Sequence, residues 1–194
     1  MEILDIIKNR RTIRNFKDED VSDGDLRKIL EAGNSAPCAG KLSNWRFIIV
    51  KYQKDKEKLA EACFNQEWVA NASVLIVVCS DSGRLKGIYG KRGEMYAIQN
   101  TAAAIENMLI EATSLGIGSA WIGAFNDDEI IRVLEIADYV KIHAVVALGY
   151  ANEKPTVAKL KLPDVVFFDK WGKSEVGRSK KRPISNWLAM GKNP

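Results

Sequence analysis

The chain is 194 residues long (21.6 kDa), 46% hydrophobic and 28% charged with a mean hydropathy of -0.17, which suits one generous domain and rules out disorder throughout. The 29 basic and 25 acidic residues leave a net charge of +4. Residues 172–194 hold six bases against one acid, so residues 1–171, with 23 against 24, lack the basic stripe interleaved with aromatics that a nucleic-acid binder shows.

Ile3, Leu4, Ile6 and Ile7 recur at helical spacing up to Asn9, and the basic loop Arg10-Arg11-Thr12-Ile13-Arg14 follows. Ser22 with Asp25 reads as the N-cap of a second helix, whose apolar face is Leu26, Ile29 and Leu30 and whose end is Gly33. A turn-rich stretch from Asn34 to Lys41 precedes Trp45–Val50, whose β-branched and aromatic content predicts a strand. Lys54–Cys63 predicts a surface helix, and Val74–Val78 predicts a strand buried on both faces. Residues 80–93 are polar and glycine-rich, hence a loop. From Glu94 to Leu115 there is neither proline nor glycine, and apolar residues occupy most of the wheel, so this helix should be almost wholly enclosed. Ser119–Ile122 predicts a strand, Asp127–Leu134 a helix and Ile142–Leu148 a strand. The order, with helices before the first strand and uneven spacing, predicts an α+β fold: a mixed central β-sheet flanked by helices, with a long buried central helix.

Several classes of chemistry are excluded. The N-terminus carries acids where a signal peptide carries bases, and no apolar run approaches the ~20 residues of a membrane span, which points to the cytoplasm and away from membranes. Three scattered cysteines and the single His143 supply neither a disulfide framework nor a metal ligand set. His143, in an apolar strand, reads as a structural histidine. Gly116-Ile117-Gly118 runs from helix into strand, the reverse of a dinucleotide fingerprint, and no Gly-Lys pair has the context of a phosphate loop.

By itself the Arg10–Arg14 cluster reads as a solvated basic turn. In company it reads differently. Arg10-Arg11-Thr12-x-Arg14, Ala36-Pro37-Cys38-Ala39-Gly40-Lys41-Leu42-Ser43-Asn44-Trp45, Gly116-Ile117-Gly118-Ser119-Ala120-Trp121-Ile122-Gly123-Ala124-Phe125, Gly149-Tyr150 and Lys159-x-x-Leu162 with Asp169-Lys170-Trp171-Gly172 resemble the nitroreductase family in order and spacing. The resemblance spans residues 1–172 as one FMN-binding domain and leaves residues 173–194 as a basic tail.

The resemblance implies a homodimer that binds FMN non-covalently at its interface and passes hydride from NADH or NADPH through the flavin to a small-molecule acceptor such as a nitroaromatic or quinone, in a ping-pong cycle. It implies that Arg10, Arg11 and Thr12 meet the phosphate, that Arg14 sits at the flavin N1/O2 edge, and that Lys159 adds charge near the phosphate or ribityl chain. Pro37, Cys38, Ala39 and Lys41 would cover the ring from the partner subunit, and Ile122, Gly123 and Ala124 would lie near N5 and O4. Gln99 and Asn100 are candidates to face the cleft. No protein acid, base or metal is required, because the flavin carries the chemistry.

Some readings stay open here. Cys38 stands where the family commonly has Ser, either as a small substitute or as a redox group; Lys41 either charges the flavin edge or points to solvent. Trp121 and Phe125 read as core aromatics. Ile184, Trp187 and Leu188 in the tail would form one stripe on a helix from Pro183 to Met190 docked on the partner subunit near the flavin cleft, the alternative being a disordered end. Other functions compatible with these residues are dehalogenation or flavin breakdown on the same scaffold, and a flavin- or nucleic-acid-binding regulator that uses the tail.

Overall fold

The computed structural model describes residues 2–156 and 161–172. The chain divides between Pro155 and Thr156 into two units. In the first, the elements run α1 (Ile3–Asn9), α2 (Asp23–Asn34), a 3-10 turn (Ala39–Lys41), β1 (Trp45–Val50), α3 (Gln53–Ala62), a 3-10 turn (Glu67–Val69), β2 (Val74–Asp81), α4 (Gly83–Tyr89), α5 (Arg92–Ser114), β3 (Gly118–Ile122), α6 (Asp127–Leu134) and β4 (Val140–Gly149). In the second, α7 (Leu162–Val165) is followed by the tilted ring pair Phe167 and Trp171, with centroids 4.8 Å apart.

Strand order is β1-β2-β4-β3, and every neighbouring pair is antiparallel. The parallel component of the expected mixed sheet is a bridge outside the strands, between Thr12 and Ser119. Along β2 the side chains alternate between two cores. Leu75, Val77 and Cys79 join Leu59 of α3, Cys63 just after it and Ile130 of α6, whereas Val74, Ile76 and Val78 join Leu26, Ile29, Ile105 and Met108 of α2 and α5. The result is helix, sheet, helix, and it explains the uninterrupted apolar run of β2: both faces of the strand are covered.

Local signals place the helices. Ser22 Oγ accepts the Asp25 N–H at 3.1 Å and donates to its carboxylate at 2.9 Å, which starts α2 where the capping pattern predicts. Asn126 caps α6 in the same way through the N–H groups of Asp128 and Glu129. Where α2 crosses α5, a Cβ on Gly33 would fall 2.7 Å from Met108 Cγ, so the close approach requires glycine. Buried α5 residues follow one stripe (Ala97, Thr101, Ala104, Ile105, Met108, Ala112), while Met95 and Ile98 remain exposed on this chain.

Two expectations are corrected. Residues 80–93 are not a loop: α4 forms there because Leu85, wholly buried, docks on α5 and overrides the poor helix propensity of its glycines. Trp121 is no core residue. It is 41% exposed on the edge strand β3, whereas Phe125 does pack on the core beside α3 and α6.

His143 sits at a β-bulge, between Ile142 paired with Cys79 and Ala144 paired with Val78. Its Nε2 lies 2.7 Å from Ser80 Oγ, and burial holds its pKa below the usual imidazole value. Among the described residues no helix is long and apolar enough to cross a membrane. Lys159 and the tail residues Ile184, Trp187 and Leu188 lie outside the described residues.

Two tests follow from this packing. Ile76→Ala, in the centre of the doubly covered strand, should lower unfolding free energy by about 2–5 kcal/mol in urea titrations at fixed protein concentration. A loss under about 1 kcal/mol would contradict the layer assignment. Burial pushes the thiols of Cys63 and Cys79 up to about 11, so both should resist a thiol reagent at pH 8 in the folded chain and react on unfolding. Native-state modification of either, mapped by mass spectrometry, would contradict their burial.

Candidate functional site

The residues singled out in the sequence fall into two groups at opposite ends of the sheet. The first is the segment Arg10–Phe16, which leaves α1, meets the free edge of β3 at Ser119 and goes on to Ala151 beyond β4. Thr12 bridges to Ser119, the Ile13 N–H donates to the Ser119 carbonyl at 2.9 Å, and Phe16 bridges to Ala151. Ile13 and Phe16 are buried and anchor the segment, so Thr12 and Arg14 lie at its surface. The Glu153 carboxylate accepts the backbone N–H groups of Arg14 and Asn15 and ties the segment to the chain after β4.

The guanidinium groups of this segment have distinct settings. Arg11 donates to the carbonyls of Lys8 and Arg10 and so closes the C-terminus of α1. Arg14 lies over the Trp68 indole, 5.8 Å from its centroid, a cation–π contact that orients the cation. Among the described residues none of Arg10, Arg11 and Arg14 forms an ion pair. A cleft of about 340 Å³ opens beside Arg11, with Ile13, Thr113, Gly116 and Glu153 also in its wall.

At the end of β3, Ile122 turns into the core, whereas Gly123 and Ala124 are exposed, and a Cβ on Gly123 would meet open space. The Asn126 N–H donates to the Ala62 carbonyl at 2.8 Å, which joins this loop to the end of α3. Beyond α3 the chain turns through Phe64 and Asn65, both with left-handed φ (59° and 57°) and both exposed.

The second group is the loop that precedes β1. Pro37 is exposed, Cys38 and Ala39 are half-buried, and Lys41 is exposed. Its organiser is Asn100 of α5, 4% exposed: Oδ1 accepts the Ala39 N–H at 2.9 Å, while Nδ2 donates to Asn44 Oδ1 at 2.7 Å and to the Leu42 carbonyl at 3.3 Å. The Asn44 carbonyl in turn accepts the Asp81 N–H at 2.9 Å. Asn100 is therefore turned inward to shape the loop rather than outward to a cleft; its neighbour Gln99 is the exposed one. Cys38 Sγ lies 3.7 Å from Ser43 Oγ.

The ladder separates the groups. Ser119 pairs with Leu148 and that with Val74, whereas the loop is fastened at Asp81, seven residues along β2 and roughly 23 Å away. Helix α5 gives a similar span, since Asn100 holds the loop and Thr113 lines the cleft, thirteen residues or about 20 Å apart. Within one chain the structure thus joins Arg10, Arg11, Thr12 and Arg14 to β3, joins Pro37, Cys38, Ala39 and Lys41 to α5, and keeps the two sets apart. Sequence reasoning missed Trp68, Glu153 and the role of Asn100, whose partners are distant in the chain and leave no local pattern.

Comparison with known proteins accords with this architecture. The model of the Nitroreductase family matches residues 7–67 and 62–150. A protein of Archaeoglobus fulgidus, provisionally named an NADH dehydrogenase/NAD(P)H nitroreductase, is 36% identical over 177 residues, which cover 88% of this chain and 99% of that one. The FMN reductase [NAD(P)H] of Bacillus subtilis is 27% identical over 176 residues, covering 84% and 70%. Among solved structures, a nitroreductase family protein from Clostridium novyi superposes with a TM-score of 0.73 at 29% identity, over 93% of this chain and 100% of that one. With the family model matching most of its length and a relative at 36% identity aligned almost end to end, the chain belongs to the nitroreductase family.

Proposed function

We propose that the protein is an FMN-dependent NAD(P)H oxidoreductase that works as a homodimer, with each flavin held between two chains. The observation that carries this reading is the separation of the two residue groups: a cationic segment and a shaped loop, about 20 Å apart in one chain, would meet only if a second chain supplied one of them. The names of relatives, including an FMN reductase that uses NAD(P)H, support the cofactor and the donor.

The donor set suits the ligand. A phosphate dianion needs cations and hydroxyl donors that are not already neutralised, and Arg10, Arg11 and Thr12 stand together with no carboxylate paired to either arginine among the described residues. Lys159 is proposed to add a further cation. Arg14, oriented by Trp68, would stabilise negative charge at the N1/O2 edge. Ile122, Gly123 and Ala124 would offer close backbone approach, which the open space at Gly123 permits. Pro37, Cys38, Ala39 and Lys41 of the second chain would cover the ring. Bound FMN would supply two-electron hydride chemistry between reduced nicotinamide and a small-molecule acceptor such as a nitroaromatic or quinone. The protein's part is orientation and charge, and no side chain has to move a proton.

The exposed apolar side chains agree with a second chain. Ile3 (73%) and Leu4 on α1, and Met95 and Ile98 (55%) on α5, leave an uncovered apolar surface on elements that contact each other.

The purified protein should be yellow, and heat should release a cofactor that co-migrates with FMN. Release of FAD, or an apoprotein unable to take up FMN, would contradict the assignment. Arg10→Ala should weaken FMN binding about ten- to a hundredfold with the melting curve of the apoprotein unchanged, since a hydrogen bond to a charged group contributes about 1.5–3 kcal/mol. Arg14→Ala should lower the flavin potential more than it lowers affinity; equal potentials in the two proteins would remove Arg14 from the N1/O2 edge.

A further inference from the structure

Helix α4 lies across the start of α5 with almost no clearance. Leu85 is wholly buried, and a Cβ on Gly93 of α5 would fall 2.5 Å from the Leu85 carbonyl carbon and oxygen, so only glycine lets the two backbones meet. Lys86 and Glu94 add an ion pair at 2.7 Å, largely exposed and therefore of small worth. The helix ends at Gly90, whose φ of 55° and ψ of -134° exclude other residues.

The last residue of α4 is Tyr89. Its ring meets Tyr96 of α5 edge-on, with centroids 5.1 Å apart, and its hydroxyl reaches the loop before β1. A Cβ on Gly40 would lie 2.4 Å from Tyr89 Oη. Gly40 is favoured by its left-handed φ of 58°, and its missing Cβ leaves the space that the tip of the phenol enters. Lys41 follows with the same left-handed φ, at a cost that persists only where the surroundings impose it. Asn100 holds this loop from its buried side through three hydrogen bonds. Tyr89, backed by Tyr96 one turn before Asn100 on α5, meets the same loop at Gly40, where it is exposed.

We propose that Tyr89 is a positioning residue that, together with Asn100, clamps the Cys38–Asn44 loop and so sets how tightly that loop closes over the flavin. The second half of the statement rests on the function proposed above; the clamp itself does not. Tyr96 backs the ring, and the hydroxyl with the adjoining ring carbons meets the loop at Gly40. Helix α4 is then the device that delivers Tyr89 to the loop, pinned through Leu85 on Gly93.

Hydrogen exchange and FMN titration on the full-length protein test the two parts separately. Tyr89→Ala should speed exchange of the Ala39 and Leu42 amides at least tenfold and weaken FMN binding about three- to tenfold, whereas Tyr89→Phe, which keeps the ring, should leave both within twofold of wild type. Gly40→Ala should loosen the same amides, and more in wild type than in the Tyr89→Ala background, because the clash is with the phenol. Unchanged exchange in Tyr89→Ala, or additive effects in the double variant, would overturn the clamp. Should wild type bind no FMN, the proposed function fails, while the exchange data still decide the clamp. Faster exchange in Tyr89→Ala with wild-type FMN affinity would overturn its link to the flavin.

Discussion

A sheet whose central strands are buried on both faces must carry a helical layer on each side, and in this chain that requirement organises the rest. β2 and β4 pair along most of their length with side chains inserted into two separate cores, so most of both strands is closed to the surface. The candidate site residues lie at the rim: the free edge of β3 and the loop that enters β1. α5 then fixes where they stand. Its 23 residues span about 35 Å, and one buried face carries both the core contacts and Asn100. The loop and the cationic cleft are therefore referenced to the same rigid rod, at distances that side-chain motion cannot close.

The cationic segment also resolves a problem of the sheet. An unpaired edge strand invites association with other chains, and Thr12 and Ile13 cover that edge of β3 at Ser119 while Ile13 and Phe16 enter the core. This arrangement leaves the arginines outside, held by contacts that do not neutralise them: carbonyls for Arg11, an indole face for Arg14. Glu153, the nearby carboxylate, spends its oxygen on backbone N–H groups rather than on a guanidinium. The positive charge remains available to an anionic ligand, which is what the proposed phosphate site needs.

Much of this was legible in the sequence where the signal is local. The β-branched run Trp45–Val50 and the segment Asp127–Leu134 fall on β1 and α6 residue for residue, and Ser22 caps α2 as its pattern predicts. α4 was not legible, because its glycines outweigh a single leucine until Gly93 is seen beneath it. Trp121 reads as core from composition, yet it stands on the edge strand β3, beyond the bridge from Thr12 to Ser119, and is 41% exposed. Asn100 differs again: an asparagine in an apolar helix looks like a cleft residue, and only the folded chain shows Ala39, Leu42 and Asn44 converging on it.

The central claim is that one chain supplies the arginine segment and the other the loop of each flavin site. Subunit complementation tests it most directly. One variant carries Arg10→Ala; the other has Cys38–Lys41 replaced by a Gly-Ser stretch of equal length, and each alone should bind FMN weakly. If each site draws on two chains, a mixed dimer contains one doubly defective site and one fully intact site, so mixing and subunit exchange should restore tight FMN binding at one site per mixed dimer. If both groups serve a site within a single chain, every site keeps one lesion, and the absence of any restored tight binding after verified exchange would contradict the account.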